Sequence, residues 1–371
     1  MILGLLPALG GGIRELARTG QAARLLDGYM ARYVHDFDRV RYFSYLTESL
    51  GDFTYDPALL ARVDVVAPDR PLSRGWRAAT LPWTEGPALR SCAVLRVFQI
   101  TGAVPAIVAG ARYGVPYVTT YGFSYAQLSQ PGPRRLLKAI VERVGLRRAA
   151  AVIATTESLR ARAARLAREV HLVPNGVDTR RFAPRPAATR RGRPACILYV
   201  GRFAPEKNVQ TLVAATARLA RWLPARLVLV GAGPLEPTLR EQARAAGVDV
   251  EFPGVVPQER LPPYYTAADA FVLASFTEGH PKVLLEAMAA GVPCVASDCE
   301  GNRSLVTEGA TGLLFDPRRA DELADRLASV LTDVPLAEQL ARAGRALVVA
   351  RYDLGTLVGT EVALLRKIAA A

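Results

Sequence analysis

Past residue 194 the apolar positions of the chain fall into two spacings that take turns. Cys196-Ile-Leu-Tyr-Val-Gly201 is a short continuous apolar run closed by glycine, and Val209, Leu212, Val213, Thr216 and Leu219 then recur at helical spacing over 209–222. Arg226-Leu-Val-Leu-Val-Gly231 repeats the run, and 235–246 repeats the helix. Further runs at 248–252, 270–275, 292–297 and 312–315 predict strands, while 261–268, 281–290 (stopped by Gly291) and 320–332 predict helices. Runs that are apolar on both faces, separated by amphipathic helices, belong to a parallel sheet covered on both sides. The first half follows the same rule less regularly, with strands predicted at 2–6, 63–66, 93–98, 117–120, 151–154 and 170–173. An amphipathic helix is predicted at 354–368. The class is therefore α/β, and open parallel sheets bind ligands outside the carboxyl ends of their strands.

The segment 182–194 is rich in Pro and Arg, has no apolar period, and reads as an exposed linker. A chain of 371 residues then divides into domains 1–185 and 186–350, with a helical segment 351–371 that would pack back on the first. Half the residues are hydrophobic and 22% are charged, which excludes a disordered chain. The apolar start Met1–Pro7 has neither a basic leader nor an Ala-x-Ala site and reads as a buried strand rather than a signal peptide. Cys92, Cys196, Cys294 and Cys299 show no close-spaced metal pairing, and three histidines add little, so the composition suits a reduced, cytoplasmic setting.

Charge divides the chain unevenly. Residues 1–190 carry 27 Lys+Arg against 14 Asp+Glu, whereas residues 191–371 carry 20 of each. Ten of these cations lie between Arg134 and Arg168, against Glu142 and Glu157. Only four of the 47 basic residues are lysine, so one reading is a solvated face in an arginine-rich composition. A uniform bias would charge both halves alike, and the other reading is a field for an anionic partner. Over 134–148, Leu136, Leu137, Ile140, Val141 and Val144 form an apolar stripe beside Arg135, Lys138 and Arg147. That stripe fits a core-facing helix, or a helix lying on an anionic membrane surface.

Two segments carry chemistry. Val200-Gly-Arg-Phe-Ala-Pro-Glu-Lys-Asn208 places Arg202 and Lys207 between a strand end and a helix start, where cations oppose the helix dipole unless an anion sits between them. Ser275-Phe-Thr-Glu-Gly-His-Pro-Lys-Val-Leu-Leu-Glu-Ala-Met288 places Glu278 above a strand end and Glu286 in the second turn of a helix opened by Pro281. The carboxylates suit hydroxyl groups of a sugar and of a ribose, Gly279 admits a ligand to the backbone, and the amides of Lys282, Val283 and Leu284 point toward it. The plainer alternative is a local Lys282–Glu286 pair at i,i+4.

With Val173-Pro-Asn-Gly-Val-Asp-Thr-Arg-Arg-Phe182, Leu229-Val-Gly-Ala-Gly-Pro234 and Tyr265-Thr-Ala-Ala-Asp-Ala-Phe271, these segments resemble the retaining glycosyltransferases of family 4. The resemblance implies a GT-B fold, two Rossmann-like domains facing a central cleft, with a nucleoside-diphosphate sugar (UDP- or GDP-linked) held mainly on the second. It assigns Arg202 and Lys207 to the diphosphate, Glu286 to the ribose diol and Glu278 to the transferred sugar. It sets Gly11 and Gly12 opposite the diphosphate and gives Gly254 and Val256 to the base. The family's glycine-phenylalanine-glycine is Gly279-His280-Pro281 here, which leaves the donor sugar open. Many relatives carry histidine where this chain has Tyr121, so a phenol would orient the acceptor or steady the oxocarbenium-like state.

Fixed cations and helix-end amides would stabilise the departing diphosphate without a metal, and no internal nucleophile stands out. The expected reaction moves a hexose to a glycan or lipid-linked acceptor, with no role for nucleic acid. A nucleotide-sugar 2-epimerase is the isomerase alternative, and release of free nucleotide only when acceptor is present would separate the transferase from it. A non-catalytic anion- or membrane-binding module would keep its binding after loss of Lys207 and Glu286. Two decoys are set aside. His35-Asp-Phe-Asp38 imitates a metal pair but reads as a surface turn, and Gly231-Ala-Gly-Pro-Leu-Glu236 imitates a dinucleotide loop but lacks the third glycine.

Overall fold

The structure is a computed structural model that describes residues 1–123, 132–184 and 193–371. It separates into two compact units: Met1–Pro174 together with Gly355–Ala371, and Asn175–Leu354.

The first unit is built on seven strands, β1 (Ile2–Leu6), β2 (Arg39–Phe43), β3 (Val63–Val66), β4 (Val94–Val97), β5 (Tyr117–Tyr121), β6 (Ala151–Ala154) and β7 (Val170–Leu172), in the order β3-β2-β1-β4-β5-β6-β7. The second holds β8 (Ala195–Val200), β9 (Ala225–Val230), β10 (Asp249–Gly254), β11 (Ala270–Leu273), β12 (Cys294–Ser297) and β13 (Leu313–Phe315), in the order β10-β9-β8-β11-β12-β13. Among the described residues every pairing between these strands is parallel. Strand order reverses between β1 and β4 in one sheet and between β8 and β11 in the other, and such switch points open crevices at the carboxyl ends. Strands β8, β11 and β12 are buried throughout, which is why they read as unbroken apolar runs.

Three features differ from the sequence expectation. Strand β2 is added; Arg39 and Arg41 interrupt its apolar pattern because one face carries an ion cluster with Asp64 of β3, at 2.7 Å from Arg39 and 3.7 Å from Arg41. An 18-residue helix, Val334–Arg351, is also added, opened by Asp333, whose carboxylate accepts from Leu336 N at 3.0 Å, with Pro335 in the first turn. The expected boundary at 185/186 moves to 174/175, so Asn175–Pro184 joins the second unit. Phe182, read as linker, is buried there and meets Tyr265 edge-on at 5.6 Å. The stretch 185–192 of that segment lies outside the described residues.

The helix Leu354–Ala369 belongs to the first unit from Gly355 onward. Glu361 on it is gripped by Arg96 of β4 through Nε at 2.6 Å and Nη2 at 3.1 Å, and Tyr33 donates to the same carboxylate. Arg96 also donates to Val97 O and Thr120 Oγ1. Both charged side chains are less than 5% exposed, and burial followed by Glu361 pushes the Tyr33 phenol far up. The remaining hydrogen-bonding groups of this bidentate pair are also supplied with partners, which a buried ion pair requires.

The stripe on the helix Pro133–Arg148 divides, with Val141 and Val144 half-buried. The final turns of the helix pack inward, at Gly145 and Leu146 against Ile100, whereas Leu136, Leu137 and Ile140 are 64%, 63% and 51% exposed.

Candidate active site at the carboxyl ends of β8 and β11

The loop leaving β8 is held from several directions. Tyr199 Oη donates to Arg202 O at 3.0 Å, and Phe276 N donates to Glu206 O at 2.9 Å. Asn208 sits in the left-handed region at φ 53°, which Asn tolerates better than most side chains. Its Nδ2 donates to Ala274 O at 3.1 Å and Pro317 O at 2.7 Å, and its Oδ1 accepts from Thr211. Asn208 thereby ties the loop after β8 to the ends of β11 and β13. Lys207, one residue earlier, reaches Glu278 Oε1 at 2.6 Å, and Ser275 Oγ donates to that same oxygen at 2.7 Å. The Glu278 side chain is 7% exposed and that of Lys207 24%, so the pair is shielded more than a surface ion pair.

Arg202 is placed differently. Its guanidinium is 66% exposed and pairs with Glu206 on the same loop. Partial burial works to raise the Glu206 carboxyl, but its own backbone amide and Arg202 outweigh that and hold it below the ordinary range.

Beyond Glu278 the chain enters the helix Lys282–Ala289, with Pro281 as the extended residue before it rather than its first helical residue. Gly279, Lys282 and Val283 are half-buried and Leu284 is buried. His280 is buried, its ring 5.3 Å from that of Tyr352, and its carbonyl accepts from Asn175 Nδ2 at 2.8 Å. Glu286 turns inward and is 2% exposed: Gln258 Nε2 donates to Oε1 at 2.7 Å and Tyr265 Oη to Oε2 at 2.9 Å. Burial, then the Glu286 charge, pushes the Tyr265 phenol far above its ordinary value, so it stays a donor. Gly301, at the start of the next short helix, comes so close that a Cβ there would lie 2.4 Å from the Glu278 carbonyl oxygen.

Lys207 and Glu278 are thus brought together, and Glu286 occupies a deeper position with Gln258 and Tyr265. Gly254 ends β10, its carbonyl accepting from Gly231 N at 2.8 Å, and Val256 packs partly against the core. The glycine-rich turn at 231–234 is stitched to its neighbours through backbone bonds, including Phe203 N to Ala232 O at 3.0 Å. Gln258 had no signal in the sequence, since its partner Glu286 is 28 residues away, while Asn208 and Ser275 stood inside the quoted segments without a role. Tyr265 stood inside a recognised motif without a role.

Gly11, Gly12 and Tyr121 belong to the first unit. Gly12 makes room for Glu48: a Cβ there would lie 2.8 Å from Glu48 Oε1. Glu48 accepts from the amides of Ile13 (2.9 Å) and Arg14 (2.8 Å) and from Ser44, so an internal carboxylate already caps the helix behind the glycines. Tyr121 is 2% exposed and its Oη donates to Glu142 Oε1 at 2.7 Å.

A cavity of about 920 Å³ opens at the ends of β12 and β13, lined by Phe276, Asp298, Glu300, Phe315 and Arg318 among others, but not by Lys207, Glu278 or Glu286. Among the described residues no group of three His, Cys, Asp or Glu side chains is placed to hold a metal ion. Asp36 and Asp38, the imitated pair, have separate partners in Arg366 and the amino group of Met1. Burial pushes all four cysteine thiols up, Cys92 to about 12, so they stay protonated.

Two family models match in succession: "Glycosyltransferase Family 4" over residues 53–181 and "Glycosyl transferases group 1" over 182–347. Among curated proteins, a GDP-mannose-dependent α-(1-6)-phosphatidylinositol monomannoside mannosyltransferase of Mycobacterium tuberculosis is 37% identical over 54% of this chain and 56% of its own. A glycogen synthase of the same organism is 38% identical over 51% of this chain and 46% of its own. The chain spans about half the length of the curated relatives it matches. Among solved structures, sucrose-phosphate synthase from Thermosynechococcus elongatus superposes with TM-score 0.80 at 23% identity, covering 100% of this chain and 99% of that one. Anabaena HepE in complex with UDP superposes with TM-score 0.78 at 19% identity, covering 99% of each. At such identities the likeness is one of fold: two parallel α/β sheets of GT-B type.

Proposed function

We propose, from the premise that this chain belongs to the family 4 glycosyltransferases and carries their group 1 domain, that it is a retaining hexosyltransferase. Its donor is a UDP- or GDP-linked sugar and its acceptor a glycan or lipid-linked saccharide on the cytoplasmic side. The observation that carries the reading is the Lys207–Glu278 pair at the switch point of the second sheet, where a cation and a carboxylate arrive from two different strand ends.

In this scheme the donor diphosphate draws Lys207 off Glu278, and Arg202 adds a second cation from the same loop. The first-turn amides of the helix Lys282–Ala289 complete the anion site. Glu278 is then released to receive hydroxyls of the transferred sugar, with Ser275 fixing its orientation. Glu286, oriented by Gln258 and Tyr265, holds the ribose, and Gly254 and Val256 border the base. His280 and Pro281 shape the wall beside the sugar. As the bond to the leaving oxygen breaks, charge grows on a diphosphate already surrounded by fixed donors, which lowers the barrier without a metal ion. The acceptor hydroxyl attacks from the same face, passing its proton to the leaving phosphate oxygen, so the configuration is retained.

The reading has a direct test. Titrating UDP, GDP, ADP and dTDP by calorimetry in the presence of chelator should show one diphosphate binding, and Glu286→Ala should weaken it at least about tenfold, the loss of one charge-assisted hydrogen bond. Equal binding by the variant, or none by the wild type, overturns the donor site.

A further inference from the structure

The first unit presents a helical layer with an unusual surface. The helix Arg74–Thr84 buries Arg77, Ala78, Leu81 and Pro82 and turns Trp76 and Trp83 outward, two turns apart, at 68% and 58% exposure. The helix Ala103–Tyr113 packs against it on one side and against Pro133–Arg148 on the other, so the three form one layer. The third helix adds exposed Leu136, Leu137 and Ile140. Among the described residues from 70 to 148, nine Lys+Arg are exposed, while Arg77 and Arg96 are buried in ion pairs, and the acids are Glu85 and Glu142. Both acids are engaged internally, Glu85 by buried Arg77 and Glu142 by Tyr121. Large exposed apolar side chains on the same layer as a large excess of positive charge mark a binding surface rather than a solvated face.

We infer that this layer docks on an anionic lipid bilayer. Tryptophan rings partition to the headgroup level, branched aliphatic side chains enter the acyl boundary, and arginines meet acidic headgroups, so each residue class has a place in one interface. A nucleic acid would use the cations but leaves the aliphatic side chains without a partner. No helix among the described residues is long and apolar enough to cross a membrane, so the contact is one of lying on the surface. The inference deepens the proposed transferase by bringing it to lipid-linked acceptors and rests on that reading for its purpose, but the docking itself is measured without turnover.

The chain's three tryptophans make the test specific, because Trp222 lies in the second unit. Vesicles of phosphatidylcholine, with and without phosphatidylglycerol, are prepared with brominated acyl chains, which quench indole on contact. The full chain should bind and be quenched only with the anionic lipid. Quenching should persist in Trp222→Phe and disappear in the Trp76→Phe/Trp83→Phe double variant. Replacing Leu136, Leu137 and Ile140 together by serine should lower partitioning at least about tenfold. These side chains are exposed, so circular dichroism and nucleotide binding should match the wild type. Absence of binding to anionic vesicles, quenching carried by Trp222, or capture of single-stranded RNA with partitioning unmoved by the serine variant each overturns the inference. Calorimetry with UDP and GDP on the same samples separates its failure from failure of the donor site.

Discussion

Lys207 Nζ and Glu278 Oε1 lie 2.6 Å apart although 71 residues separate them in sequence, and Ser275 shares the same carboxylate oxygen. Without a ligand, cation and carboxylate neutralise each other, so an arriving anion competes with Glu278 for Lys207. Lys207→Ala should weaken nucleoside diphosphate binding by ~10–100-fold, the worth of one charge-assisted hydrogen bond. Glu278→Gln removes the competitor and should bind diphosphate at least as well as wild type while losing transfer by ~10²–10³-fold. Calorimetry beside a turnover assay checks both, and Lys207→Ala binding at wild-type strength would count against the arrangement.

Gln258 gives a sharper test of the deeper carboxylate. Gln258→Leu leaves Glu286 Oε1 without that donor inside the protein, which costs ~1–3 kcal/mol of stability. Nucleotide affinity should fall with it, because the carboxylate loses a bond that aims it. A variant that lowers the urea midpoint but binds nucleotide normally would make Gln258 structural only.

The contrast between these residues shows what a sequence holds. Strands such as β8 and β12 are legible because burial on both faces forces an uninterrupted apolar run. Strand β2 escapes because Arg39 and Arg41 answer Asp64 on a neighbouring strand, a partnership invisible in a linear pattern. The same holds at the site. Arg202, Lys207, Glu278 and Glu286 stand out by residue type and spacing, whereas Asn208, Gln258 and Ser275 matter through the atoms they meet. Glu48 is the clearest case: nothing in Gly10-Gly-Gly12 announces a carboxylate arriving from 35 residues away to take the amide of Ile13.

The Arg96–Glu361 pair predicts a large stability effect. Glu361→Ala leaves a buried guanidinium uncompensated and should cost ~3–5 kcal/mol in urea unfolding. Replacing both partners by apolar residues, as in Arg96→Met/Glu361→Leu, should recover most of it. A single variant as stable as wild type would show the pair to be energetically idle.

Alkaline pH should unfold the protein through its thiols. Burial lifts Cys92 from an ordinary 9.0 to about 12. Between those values the unfolded chain has lost a proton that the folded one keeps, so stability falls as pH rises, by up to ~1.4 kcal/mol per pH unit for each such group. Below pH 9.0 the contribution is fully present. Urea midpoints measured at about pH 8 and about pH 10 should decline, and Cys92→Ala should flatten the decline; a slope unchanged by the substitution would remove Cys92 as its cause.

Because residues 355–371 complete the first unit, that unit is the last to be finished on the ribosome although it is the first to emerge. Arg96 and Tyr33 are synthesised more than 260 residues before Glu361 and must wait for the whole of Asn175–Leu354 before the acid that neutralises one and binds the other exists. The second unit is continuous in sequence and closes its own core without that delay. The second unit can therefore close its core during synthesis before the first unit receives the helix that carries Glu361.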